Sequence, residues 1–372
     1  MKTKILIVTP YPVDANSFWR CMGPMSYMAK HFEEFSITLS EMNKGGTISW
    51  VEVGQYDMIF MHRPCRPDDL IIMQIAYNMN IPVWVDYDDW LFEIPSWNPN
   101  AQLYNNMAMQ SNMAQALACA DIVSVSTTEL YNQYRAVNPN TVIIPNAYRS
   151  DLFKFRKENL EERNDFALWR GSNTHDGDLL SINEAFRNIK HKVKFIGSAS
   201  WLLLSQMNKD NYEMLGSFDA IEYFKGIYDH KPKVMIFPLV DCLFNRCKSN
   251  IAWMEALHSG ALCLSPDMPE WNYPGNINYK PHDSNSFTES LDKLMNSHPD
   301  DHKQQVTLAF NNMKQSYDIE VINKHRMECV YDLLNRTLVK KNPRDQAIGL
   351  MALSVLKENF KKYNEAGTKT TS

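Results

Sequence analysis

Long apolar runs are missing from this chain. No segment approaches the roughly 18 to 20 uninterrupted apolar residues that a membrane-spanning helix needs. The opening stretch MKTKILIVTPYP starts basic, but its apolar heart is only ILIV. That is too short for a secretory signal and reads as a first buried strand. Paired cysteine spacing is missing as well. The seven cysteines (Cys21, Cys65, Cys119, Cys242, Cys247, Cys263 and Cys329) are scattered and form no C-x-x-C pair. This argues against a disulfide framework and a zinc knuckle, so reduced thiols in a cytoplasmic protein are the simplest expectation. There is no solenoid repeat, and no low-complexity tract beyond the final AGTKTTS.

What is present points to a large folded enzyme-sized chain. At 372 residues two domains are expected, and 44% hydrophobic against 22% charged residues suffices for sizeable cores. The net charge of −5 is unevenly spread: residues 336–372 carry eight Lys or Arg against three acids, a surplus of +5 that leaves −10 upstream. A basic tail on an acidic body could meet an anionic surface, or could be a solvated C-terminal helix.

The first half alternates β-rich runs with helical stretches. KILIVTP (4–10), YDMIFMH (56–62), IPVWVD (81–86), DIVSVS (121–126) and TVIIPN (141–146) read as strands. Between them, SFWRCMGPMSYMAKHF (17–32), the stretch from Pro67 and NNMAMQSNMAQALACA (105–120) read as helices. Strands apolar throughout and separated by helices predict a parallel sheet covered on both faces. The charged stretch RSDLFKFRKENLEERND (149–165) reads as a linker, after which FALWRGS, VKFIGS, KVMIFPL and GALCLSP restart the alternation. The expectation is an α/β chain with two Rossmann-like, doubly wound domains, residues 1–150 and 166–335, joined by a linker at 151–165. A basic helix and tail, 336–372, would cross back to the first domain. Ligands would bind between the carboxyl ends of the two sheets.

The window FPLVDCLFNRCKSNIAWMEALHSGALCLSP (237–266) reads as strand, loop, helix with an acid, small-residue turn and strand. It resembles the C-terminal domain of GT-B fold glycosyltransferases, especially the retaining glycosyltransferase family four. The resemblance implies that Glu255 takes the ribose hydroxyls of a nucleotide-sugar donor; a carboxylate on a rigid helix can accept both hydrogen bonds of a vicinal diol. It implies that Lys248, in an N-x-x-K-S element with Asn245 and Ser249, offers its charge to the diphosphate. Lys248 is expected in the first helical turn, where the dipole disfavours a cation unless an anion joins it. FALWRGSNTHDGDLL (166–180) is similar to the family's strand into R-G-S, which puts Arg170 and Gly171 at the diphosphate and brings His175 and Asp178 near the cleft. ADIVSVSTTEL and VIIPNAYRSDLF match the family's first-domain pattern, with Asn146 in place and Ala147 where Gly is usual. One departure is clear. Cys247 stands where the family often has an acid facing the transferred sugar, which leaves open a non-catalytic sugar-nucleotide-binding protein on the same fold.

PVWVDYDDWLFEIP (82–95) sets Asp86, Asp88 and Asp89 directly after an apolar run. Such a trio could supply the oxygen shell of a hard cation, or be a plain acidic turn. Metal-dependent enzymes of the alternative GT-A design place their acid-x-acid in a single sheet domain, whereas two are expected here. No metal ligand is therefore expected, and no cofactor beyond a nucleoside-diphosphate sugar as co-substrate. Divergent relatives from surface-polysaccharide loci and phages carry a similar D-x-D-D-x-L-F-x-I-P. This makes Asp86, Asp88, Asp89 and His62 the candidate catalytic groups, with His62 or an acid as base if the reaction inverts. Arg20 and His175 would lie on the acceptor side. The acceptor would be a saccharide or, given the Asn- and Met-rich, phage-like composition, a hydroxymethylated DNA base.

Overall fold

The computed structural model describes residues 2–10, 12–40, 49–153, 160 and 163–369; linker residues 154–159 and 161–162 lie outside the described residues. The chain forms two six-stranded sheets. The first holds β1 (Thr3–Val8), β2 (Phe35–Leu39), β3 (Met58–His62), β4 (Val83–Tyr87), β5 (Ile122–Val125) and β6 (Thr141–Ile143), in the order β2-β1-β3-β4-β5-β6. The second holds β7 (Asn164–Gly171), β8 (Lys192–Gly197), β9 (Tyr212–Met214), β10 (Pro232–Ile236), β11 (Leu262–Pro266) and β12 (Asn276–Tyr279), in the order β12-β11-β10-β7-β8-β9. Every strand pairing in both is parallel.

The apolar runs follow from burial on two faces. In β1, Ile5 and Ile7 enter a cluster with Met58, Phe60 and Trp84, while Leu6 and Val8 enter another with Ile59, Met61 and Val85. Alternate side chains point to opposite faces, so a strand covered twice must be apolar throughout. Edge strands β2, β9 and β12 are half-exposed and carry polar residues, which hides them from that reading. Among the described residues no helix is long and apolar enough to cross a membrane.

The chain returns to the first domain earlier than residue 336. The Tyr148 amide donates to the Tyr317 carbonyl at 2.7 Å and the Ile319 amide to the Tyr148 carbonyl at 2.9 Å. The helix Ile319–Asn335 then places Ile319, Ile322, Val330 and Leu333 in the apolar layer of the first sheet. The last helix, Gln346–Lys369, packs on Met107–Cys119. Gly349 allows that approach, since a Cβ there would stand 2.1 Å from Gln115 Oε1.

Gly197 ends β8 at φ +91°, and a Cβ there would fall 2.0 Å from the Gly171 carbonyl oxygen. Both the conformation and the contact exclude a side chain at this edge of the cleft. Gly197→Ala is expected to cost about 2 kcal/mol or more in urea unfolding. An unchanged midpoint would show that the two strand ends can part freely.

Candidate active site

Between the carboxyl ends of the sheets lies a cavity of roughly 440 Å³. The first domain lines it with Arg63, Asp88 and Asp89; the second lines it with Arg170, Gly171, His175, Lys248 and Ser249. Seven of the twelve residues singled out from sequence therefore meet in one space. The other five, Arg20, His62, Asp86, Asn245 and Glu255, stand behind its wall.

The three acids at the end of β4 have different surroundings. Asp86 is 2% exposed and receives Arg20 at both oxygens, Nε to Oδ1 at 3.1 Å and Nη2 to Oδ2 at 2.7 Å. Ser124 donates to the same carboxylate at 2.5 Å, and Trp84 Nε1 donates to Ser124 at 2.7 Å. Arg20 is fully buried, and its Nη1 also reaches the Ile144 carbonyl at 2.6 Å. Arg20 thus faces no acceptor and Asp86 no substrate. They are a buried ion pair that joins the first helix to the sheet.

Asp88 and Asp89 share one partner that the sequence reading passed over. Arg63 Nε donates to Asp88 Oδ1 at 2.5 Å and its Nη2 to Asp89 Oδ2 at 2.6 Å. Arg63 follows β3 at φ +50°, an uncommon conformation for a residue with a side chain. Burial pushes the Asp88 carboxyl up, but Arg63 and His62 outweigh it and hold this acid well below the usual carboxylate range. His62 shares a hydrogen bond with Thr9 through Nδ1 at 3.1 Å, and its Nε2 lies 3.7 Å from Asp88 Oδ1. The three carboxylates of the D-x-D-D element thus share two guanidinium groups, which offsets their charge only in part. Among the described residues, no group of three or more His, Cys, Asp or Glu is placed to share an ion.

On the opposite wall, Arg170 Nε donates to Glu255 Oε2 at 2.7 Å, and Tyr223 Oη donates to the same oxygen at 3.0 Å. Glu255 Oε1 accepts from neither. Burial raises the Glu255 carboxyl while Arg170 and Tyr223 pull it down, and burial wins. His175 Nδ1 lies 2.8 Å from Asp178 Oδ2. A carboxylate only accepts, so the proton sits on Nδ1 and Nε2 is left as an acceptor. Burial lowers the imidazole pKa against the pull of Asp178, which keeps the ring neutral. Asn245 is fully buried and donates to Asp178 Oδ1 at 2.7 Å, so it sets the dyad instead of touching a donor.

Lys248 lies in the loop ahead of the helix Ile251–Ser259, whose N-cap is Asn250, and not in its first turn. Its Nζ sits 4.5 Å from the Phe244 ring centroid. Ser249 Oγ accepts from Asn146 of the first domain at 2.7 Å. Cys247 is fully buried beside Leu243 and Phe244 in an apolar cluster of the first domain, and its carbonyl accepts from Thr127 at 3.1 Å. A carboxylate there would be stranded without water or partner, so the position does not face the cavity in this chain. Arg63 could have been found from sequence, because it directly follows a buried strand beside the acids. Tyr223 could not, since its helix is remote from every motif.

Searches with the sequence alone return no matching family and no matching curated protein. The fold does find neighbours. Sucrose-phosphate synthase from Thermosynechococcus elongatus is 11% identical at a TM-score of 0.65, covering 90% of this chain and 99% of its own. HepE of Anabaena, solved in complex with UDP and glucose, is 12% identical at 0.61, covering 89% and 100%. An alpha,alpha-trehalose-phosphate synthase (UDP-forming) from Burkholderia vietnamiensis is 8% identical at 0.60, covering 90% and 98%. With its two doubly wound domains across a cleft, the chain has the GT-B fold.

Two outcomes follow. Asp86→Asn leaves Arg20 buried without a counter-charge and is expected to cost about 3 kcal/mol or more, whereas the paired change Arg20→Met with Asp86→Leu restores most of it. Denaturant unfolding of both variants checks this, and an Asp86→Asn protein as stable as the parent contradicts it. Asp88 stabilises the fold fully above the ordinary carboxylate pKa of about 3.9 and progressively less as acid protonates the unfolded chain first. Asp88→Asn should therefore flatten the loss of stability between about pH 5 and 2, read from urea midpoints across that range.

Proposed function

We propose that this protein transfers a glycosyl group from a nucleoside-diphosphate sugar to an acceptor hydroxyl. One observation carries the reading: a single cavity at the strand ends of two doubly wound domains sets Arg170 and Lys248 on one wall against Asp88 and Asp89 on the other. The two cations suit a departing diphosphate, whose charge grows as the bond to the sugar breaks. Glu255 holds Arg170 in place through Oε2 from behind the cavity wall, and the ribose role that the resemblance gives it would fall to Oε1. Gly171 at the end of β7 leaves its backbone open to phosphate oxygens. The UDP named for the HepE and trehalose-phosphate synthase neighbours agrees with such a donor.

The first-domain wall suits the acceptor. An acid held as low as Asp88 is a poor base near neutral pH, so Asp88 and Asp89 act by orienting hydroxyls and facing positive charge on the reacting sugar. The resemblance to family four favours retention, with the acceptor proton passing to an oxygen of the leaving diphosphate. The guanidinium pairing of the acids favours a reaction without a divalent cation. Cys247 is buried in apolar packing, so the position where the resemblance expects an acid supplies no group to the cavity, and a non-catalytic sugar-nucleotide-binding protein stays the second reading.

UDP is expected to raise the melting temperature, and Lys248→Ala to weaken its binding about tenfold or more in calorimetry. Turnover of the sugar donor should survive EDTA. Absence of any UDP-dependent shift would sink the donor assignment, and activity restored only by Mn²⁺ would sink the metal-independent reading.

A further inference from the structure

A second cavity, of roughly 330 Å³, adjoins the first and shares Asn16, Arg63 and Asn100 with it. It lies where β1 and β3 part, with the connections after both strands in its wall, the switch point of the first sheet. We infer that this cavity receives the acceptor, and that it is built for an uncharged, polyhydroxylated sugar residue and against phosphorylated sugars and nucleic acid. The inference rests on the glycosyl-transfer reading above and adds the acceptor class to it.

Two independent features carry it. The first is His62, 2% exposed and lining the cavity, whose Nε2 makes no hydrogen bond within the protein, Asp88 Oδ1 standing off at 3.7 Å. Leaving a buried ring nitrogen unpaired is costly, so a ligand group is expected to complete it. A hydroxyl can donate to or accept from Nε2 in either tautomer, whereas a phosphate oxygen can only accept.

The second is charge. Arg63 is the one cation in this wall among the described residues, and Asp88 and Asp89 already hold two arms of its guanidinium. Asp14 adds a carboxylate, fixed by the Ser17 amide at 2.7 Å on Oδ1 and by Asn16 Nδ2 at 3.3 Å on Oδ2. Asn100 and Tyr104 complete a wall of amide and phenol groups suited to hydroxyls. With Arg63 committed to Asp88 and Asp89 of the adjoining cavity and Asp14 the carboxylate in this lining, an anionic acceptor would find no uncommitted positive charge here, while Arg170 and Lys248 stand on the other domain for the donor. The cleft therefore separates its charges: cations for the diphosphate, carboxylates and amides for the acceptor.

The test measures UDP release from UDP-glucose with a panel of neutral mono- and disaccharides, with their 6-phosphates, and with hydroxymethylcytosine duplex DNA. Neutral sugars should be preferred over their phosphates by about a hundredfold or more in kcat/KM, and DNA should not accelerate release. Asp14→Asn keeps the helix cap and removes the charge, so it should narrow the preference about tenfold. Preference for a phosphorylated sugar or DNA, or a ratio unmoved by Asp14→Asn, overturns the inference. So does UDP binding without acceleration by any neutral sugar. Failure to bind UDP at all, read by calorimetry, instead tells against the donor reading.

Discussion

Arg20 carries a full charge with no water around it, and the geometry of the cleft depends on how that charge is met. Its guanidinium is held by both oxygens of Asp86, by the Ile144 carbonyl and, at 3.3 Å, by Asn146 Oδ1. Because a buried guanidinium tolerates little misplacement, the helix Ala15–Arg20 is locked to the ends of β4 and β6. Asn146 then donates to Ser249, so the constraint passes into the loop that carries Lys248. One ion pair thus relates the first-domain wall of the cavity to the second-domain wall.

Around that anchor the active side chains are sorted by what each must neutralise. Arg63 adopts its left-handed conformation between two carboxylates, and strain of about 1–3 kcal/mol is typical of such residues. Two charge-assisted hydrogen bonds offset it and aim Asp88 and Asp89 at the cavity. Opposite them, Glu255 and Tyr223 fix Arg170, and Asp178 with Asn245 fixes His175. Arg170 and His175 are thus braced from behind the wall, and Asp88 and Asp89 by a neighbour within it, which is what a preorganised polar site requires.

The domains are also joined by apolar packing. Leu243, Phe244 and Cys247 of the second domain sit in the same cluster as Leu130 and Tyr134 of the first and Leu353 and Leu356 of the last helix. Glu270 reaches across to accept from the Thr128 amide at 2.8 Å, at the start of the helix Thr128–Tyr134. The Cys247 thiol belongs to this seam and does not line the cavity.

The fold was readable from the chain because strands buried on both faces carry runs of consecutive apolar residues, as β1, β3 and β4 do before their polar ends. The half-exposed edge strands lacked that signature. The place of the candidate site was readable in part: Arg170, Lys248, Asp88, Asp89 and His175 line one cavity because strand ends and the loops after them form it. Residue type and spacing could not tell Asp86 from Asp88. Asp86 lies within β4 and Asp88 just beyond it, and only the positions of Arg20 and Arg63 on other elements decide which carboxylate is buried in the fold and which lines the cavity. Nor could residue type and spacing reveal Tyr223, whose partner Glu255 lies on another element. Sequence determined the two sheets and the general place of the site. Tertiary structure alone decided which charges cancel inside the protein and which remain to meet a ligand, because ion pairing depends on distances between segments far apart in the chain.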